Sequence, residues 1–183
     1  MRNIAIISSS VRDGRLSHRV SLYIKSLIES KKLANVEILD LKEYNFPLFN
    51  ERLVFQKNPS EKVLEFTEHF NRADGIIIVT PVYNASFPAS LKNIIDLYFK
   101  EWKQKIVAIS SVTMGMNQAI KTVAELQSLL LKLNAYVIPT SYMPIQTGTA
   151  FSENGIPKNA EETEKYVLPM INELLFFMEK LHS

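Results

Sequence analysis

Apolar positions along this chain follow two alternating rhythms. Short runs rich in β-branched residues, at 4–7, 36–39, 76–79, 106–109 and 136–138, have the pattern of strands buried on both faces. Between them apolar residues recur every three or four positions, as on one face of a helix. Val20, Tyr23, Ile24, Leu27 and Ile28 predict a helix over 17–31. Val63, Phe66 and Phe70 predict a second, opened by Pro59-Ser60-Glu61 and closed at Asp74-Gly75. Leu91, Ile94, Ile95 and Tyr98 predict a third, starting near Pro88. Ile120, Val123, Leu126, Leu130 and Leu133 predict the inward face of a long fourth helix. A C-terminal helix follows from Val167, Met170, Ile171, Leu174, Leu175, Met178 and Leu181, interrupted early by Pro169.

Two stretches keep neither rhythm. Residues 41–59 hold two prolines and Tyr44, Phe46, Phe49 and Phe55, which predicts an extended excursion whose aromatics pack on a partner subunit or on a satellite cluster of the same chain. Residues 139–159 are irregular. Five strands alternating with five helices predict an α/β, three-layer sandwich around a parallel sheet, for which the common strand order is 2-1-3-4-5. In that order the loops after strands 1 and 3 converge at the reversal, where ligands bind.

Composition narrows the function. The 183 residues suit one domain, 46% hydrophobic and 22% charged. A net charge of +2 argues against both a dedicated nucleic-acid binder and a strongly acidic electron-carrier surface. The absence of cysteine removes disulfides, thiolate metal sites, iron–sulfur clusters and cysteine nucleophiles. His18, His69 and His182 lack metal-ligand spacing and are expected as exposed helix residues. No apolar run reaches the ~18 residues of a membrane span, and no leader pattern opens the chain, so a cytoplasmic protein with no membrane or nucleic-acid partner is expected.

The chemistry concentrates in the two converging loops. After the first strand come Ser8, Ser9 and Ser10, then Arg12 and Arg15, just before a helix N-terminus. Hydroxyls, backbone N–H groups, a helix dipole and fixed positive charge make a phosphate cradle, although a capped helix beside solvated arginines has the same composition. The second loop, 81–88, sets Tyr83 and Asn84 between Pro81 and Pro88, stiff enough to hold a flat, hydrogen-bonding ligand. No Gly-x-x-x-x-Gly-Lys run or acidic cluster after strand 1 supports phosphoryl transfer. Trp102, Phe176 and Phe177 read as core or interface packing, and Lys92 as a solvated lysine or half of an ion pair.

The run Ser9-Ser10-Val11-Arg12-Asp13-Gly14-Arg15 resembles the Gly-Ser-x-Arg loop of the NAD(P)H-dependent FMN reductases. Pro81-Val82-Tyr83-Asn84-Ala85-Ser86-Phe87-Pro88-Ala89-Ser90-Leu91-Lys92-Asn93-Ile94-Ile95-Asp96 resembles their Pro-Glu-Tyr-Asn-x-Ser-x-Pro-x-x-Leu-Lys-Asn-x-x-Asp signature. The resemblance implies a flavodoxin-like homodimer or homotetramer that binds FMN and passes hydride from NADPH or NADH to a small electron acceptor such as a quinone, free flavin or azo compound. It implies that Ser10, Arg12 and Ser17 hold the phosphate, and that Pro81, Val82, Tyr83, Asn84 and Ser86 lie along the isoalloxazine. Ser111, Thr113 and Gly115, from the loop after strand 4, would approach the ring's pyrimidine end. It places the helix begun by Leu91, Lys92, Asn93 and Asp96 at a dimer interface. No side chain is expected to act as acid or base, because the cofactor carries the chemistry.

The sequence departs from the pattern in three places. Ser9 stands where glycine is common, Val82 replaces the usual glutamate, and the loop after strand 4 keeps only Gly115. Two other readings use the same fold: a flavodoxin-type electron carrier, and a flavodoxin-like module that has lost FMN.

Overall fold

The computed structural model describes residues 1–145 and 148–181, apart from the side chain of Met116. The expectation for His182 falls outside them. Five parallel strands, β1 (Asn3–Ser8), β2 (Asn35–Asp40), β3 (Gly75–Pro81), β4 (Ile106–Val112) and β5 (Tyr136–Val137), stand in the order β2-β1-β3-β4-β5. The principal helices are α1 (Leu16–Ser30), α3 (Glu61–Arg72), α4 (Ala89–Leu97), α5 (Met116–Lys132) and α6 (Ala160–Leu181); a single-turn α2 (Leu41–Tyr44) lies between the first two.

Strand alternation sorts the core into two layers. Ala5, Ile7, Ile76, Ile78, Val107 and Ile109 pack with Phe66 and Phe70 of α3, Ile94 of α4 and Leu126 of α5. Ile4, Ile6, Ile77, Val79 and Ala108 face the other way, onto Val20 and Ile24 of α1 and Met170, Ile171 and Leu174 of α6. Because both faces are covered, the inner strands β1, β3 and β4 are nearly continuously apolar rather than alternating, while edge strand β2 admits Glu37. Tyr44 and Phe46 join the first layer by packing on Phe66, whose ring stacks on Phe70 and Tyr98, and Trp102 meets Phe70 edge-on. Part of the 41–59 excursion is therefore an extension of the core, while Phe55 stays 66% exposed.

Several boundaries differ from the sequence reading. β4 continues through Ser110 and Ser111 because the backbone ladder pairs them with Val79 and Thr80, a signal that side-chain polarity conceals. α2 forms because the carboxylate of Asp40 accepts the Lys42 N–H at 3.0 Å and caps it. Gly75 does not close α3; it opens β3, where a Cβ would stand 2.6 Å from Sδ of Met178. Its role is clearance for α6. Ile120 and Leu181 point outward, and Leu133 and Leu175 are half-buried. α6 runs through Pro169, which sits on its exposed side. Trp102 is fully buried, Phe177 half-buried and Phe176 exposed. Lys92 pairs with Asp96 one turn on. Among the described residues no helix is long and apolar enough to cross a membrane, and no cluster of three or more His, Asp or Glu could hold a metal ion.

The irregular 139–159 stretch is tied to α1 by Arg19, which donates to the Gly148 and Phe151 carbonyls, and by a close approach at Gly155. Gly155 has φ +78°, and a Cβ there would lie 2.7 Å from Cβ of Leu22 and 2.8 Å from the Arg19 carbonyl. Gly148 has φ +72° with open space around it. Gly148→Ala should therefore carry only the conformational cost, about 1 kcal/mol, and Gly155→Ala that cost plus overpacking, about 3 kcal/mol. Thermal melting of the two variants should show drops of about 2–4 °C and about 6–12 °C respectively.

Candidate functional site

β1 and β3 are neighbours, while the chain leaves β1 toward β2, so the sheet order reverses between them. Just beyond their carboxyl ends Ser10, Arg12, Ser17, Pro81, Val82, Tyr83 and Thr113 line a crevice of about 270 Å³, completed by Gly14, Arg15, Leu16, Val112, Met114 and Asp13, whose carboxylate is paired with Lys42. The other sequence-predicted residues, Asn84, Ser86, Ser111 and Gly115, do not line it.

The first loop is fixed from beneath and from both sides. The backbone N–H and the hydroxyl of Ser9 both donate to the Val79 carbonyl at 3.1 Å, and the Ser90 hydroxyl donates to the Ser9 carbonyl at 2.6 Å. Ser10 and Tyr83 share a hydroxyl hydrogen bond of 2.8 Å across the crevice. Gly14, at φ +63°, makes the turn into α1. No side chain caps α1 and its first turn holds no acid, so its free N–H groups and positive dipole end face the loop. Ser17, in that turn, has a hydroxyl that is buried and, among the described residues, without a hydrogen-bond partner. A buried, unpaired hydroxyl beside an uncapped helix start and an exposed guanidinium at Arg12 is a donor set without its acceptor. These residues fit a phosphate group.

Arg15 corrects the sequence reading. Its guanidinium is not a second free charge in the crevice, because both its terminal nitrogens grip the carboxylate of Asp40, at the end of β2. The register Ser8↔Asp40 puts the two side by side although 25 residues separate Arg15 from Asp40. That leaves Arg12, whose guanidinium lies 5.6 Å from the centre of the Tyr83 ring. His18 is likewise half-buried rather than exposed, with Nδ1 3.0 Å from the Ser8 hydroxyl and 3.6 Å from Asp40. His69, also half-buried, lies 2.6 Å from a Glu37 carboxylate oxygen.

The second loop folds on itself. Tyr83 and Ser86 exchange backbone hydrogen bonds of 2.8 and 3.0 Å around Asn84 (φ 52°) and Ala85 (φ 62°), a two-residue hairpin turn with both central residues left-handed. Asn84 tolerates that conformation, whereas Ala85 holds it at a cost of about 1 kcal/mol. The Val82 N–H donates to the Val112 carbonyl at 3.1 Å, joining this loop to the end of β4, where the third loop, 113–115, begins. There the Gly115 N–H donates to the Thr113 hydroxyl oxygen at 3.0 Å, which holds Gly115 at the start of α5. Ser111 is buried inside β4, its hydroxyl unpaired.

Residues 2–150 match the NADPH-dependent FMN reductase family. The chain belongs to that family. Among similar proteins, an NAD(P)H-dependent FMN reductase from Nectria sp is 32% identical, covering 90% of this chain and 87% of that protein. A quinone reductase from Pseudomonas putida is 30% identical over 77% of each chain. The flavoenzyme NAD(P)H:(acceptor) oxidoreductase FerB from Paracoccus denitrificans superposes with a TM-score of 0.80 at 24% identity, covering 98% of both chains. That likeness concerns the fold. Within the FMN reductase family frame, the two loops that line the crevice are the two whose sequences carry the resemblance.

Burial pushes the pKa of His18 below its ordinary value of 6.5, aided by Arg15 and opposed by Asp40 and Glu43. Above the ordinary value the ring is neutral in both states. Below it the unfolded chain takes the proton first, so stability falls with pH. Chemical denaturation between about pH 7.5 and 5.5 should show that fall, and His18→Gln should flatten it.

Proposed function

We propose that residues 1–183 act as one FMN-binding unit, an NAD(P)H-dependent reductase that delivers reducing equivalents to a small acceptor such as a quinone, free flavin or azo compound. The observation that carries the reading is the unpaired Ser17 hydroxyl at the uncapped start of α1, facing the same crevice as Arg12. In this reading Ser10, Arg12, Ser17 and the first N–H groups of α1 bind the phosphate. A guanidinium and a helix dipole together suit a doubly charged phosphate monoester.

Pro81, Val82 and Tyr83 offer a flat edge for the ring system, and the 84–86 turn holds that edge in place; Asn84 and Ser86 act here by shaping the loop. Thr113 approaches from the third loop, with Ser111 and Gly115 setting its position. FMN, when bound, supplies the two-electron chemistry between the reduced nicotinamide, NADPH or NADH, and the acceptor. The protein's part is to orient and to exclude water, and no side chain in the crevice is assigned as acid or base. The reading includes a cytoplasmic homodimer or homotetramer; exposed Leu48, Phe55 and Phe99 near α4 support the self-association.

The purified protein should quench the fluorescence of added FMN and oxidise NADPH or NADH with a quinone present. Arg12→Ala should weaken FMN binding about 10- to 100-fold, the worth of one charged hydrogen-bonding group, and leave riboflavin binding unchanged. A protein that takes up no FMN and oxidises neither nicotinamide overturns the reading in favour of a module without flavin.

A further inference from the structure

One of the ties that hold the phosphate loop in place starts on β2, an edge strand that contributes no residue to the crevice. Asp40, its last residue, is 4% exposed. Its two carboxylate oxygens receive the two terminal nitrogens of Arg15 in a fork. One of those nitrogens also donates to the Ser10 carbonyl at 2.8 Å. The carboxylate is itself oriented by the Lys42 N–H at 3.0 Å, so β2 and α2 fix Asp40, Asp40 fixes Arg15, and Arg15 fixes the peptide of Ser10. A second tie, Lys42 Nζ to Asp13 at 2.6 Å, is exposed and contributes little.

We infer that Asp40 is a positioning residue for the phosphate site, acting through Arg15 on the carbonyl of Ser10; the inference rests on the FMN reading above. Holding that carbonyl on the Arg15 guanidinium sets where the Ser10 hydroxyl and the following N–H groups point. Donors held in advance lose less freedom when the anion arrives. The fork matters more for direction than for energy: a two-pronged guanidinium–carboxylate pair fixes a plane, which a lysine's point charge cannot. The same pairing also withdraws one positive charge from the crevice, so affinity for phosphate depends on Arg12 and on oriented dipoles. Without the carboxylate, Arg15 keeps its charge in a place only 12% exposed and loses the partner that aims it.

The test uses Asp40→Asn and Arg15→Lys, singly and together, with FMN and riboflavin affinities read by flavin fluorescence quenching and melting of the flavin-free protein followed alongside. Each single variant should bind FMN about tenfold more weakly, while riboflavin, which lacks the phosphate, changes by less than about twofold. The double variant should be no weaker than the weaker single, because both changes cut one path. Wild-type FMN affinity in Asp40→Asn overturns the assignment. So does an equal loss of FMN and riboflavin, which would make Asp40 a residue of general stability. If Asp40→Asn does not fold, Arg15→Lys, which keeps both charges, carries the same comparison. The FMN reading fails by a different result: a wild-type protein that binds FMN no better than riboflavin has no phosphate site for Asp40 to position.

Discussion

A parallel strand covered on both faces leaves its backbone only one way to meet a ligand, at its end. The placement of the candidate site in this chain follows from that constraint. Ile4, Ile6, Ile77 and Val79 are committed to one layer and Ala5, Ile7, Ile76 and Ile78 to the other, so polar residues gather where the strands run out. Because β1 and β3 lie side by side, the serines after β1 and the Pro81–Tyr83 edge after β3 come to share one crevice. The crevice is a by-product of strand order, and the side chains specialise it.

Fold and site were legible in the sequence to different depths. The strands stood out because double-sided burial leaves no polar punctuation in Ile76, Ile77, Ile78 and Val79. The converging loops were legible because topology, rather than detail, brings them together. What escaped were features decided by neighbours far along the chain. Arg15 and Asp40 look like two independent charges until the register of β1 on β2 places them face to face. Gly75 looks like a helix stop until Met178 is seen to fill the space beside it. Ser110 and Ser111 look like loop residues because a backbone ladder is invisible to side-chain pattern. Ile120 has helical spacing and still faces outward, since periodicity fixes a face only to within a residue or so.

The departures from the family pattern also acquire physical content. Val82, where a glutamate is usual, brings no charge to the crevice wall, and its N–H serves to join the second loop to β4. Ser9, where glycine is common, is buried with its hydroxyl satisfied on Val79, so the substitution is absorbed beneath the loop rather than in the crevice. Neither change removes a donor from the set formed by Ser10, Arg12, Ser17 and the start of α1.

The aromatic stack on the far layer has a use of its own. Trp102 is the chain's single tryptophan, and it is wholly buried edge-on against Phe70. The wavelength of its ultraviolet emission, which tracks whether the ring is buried, is thus a built-in gauge of whether the core is intact, distinct from the visible colour of a bound flavin. The two optical signals let loss of a ligand be told apart from loss of the fold within one cuvette.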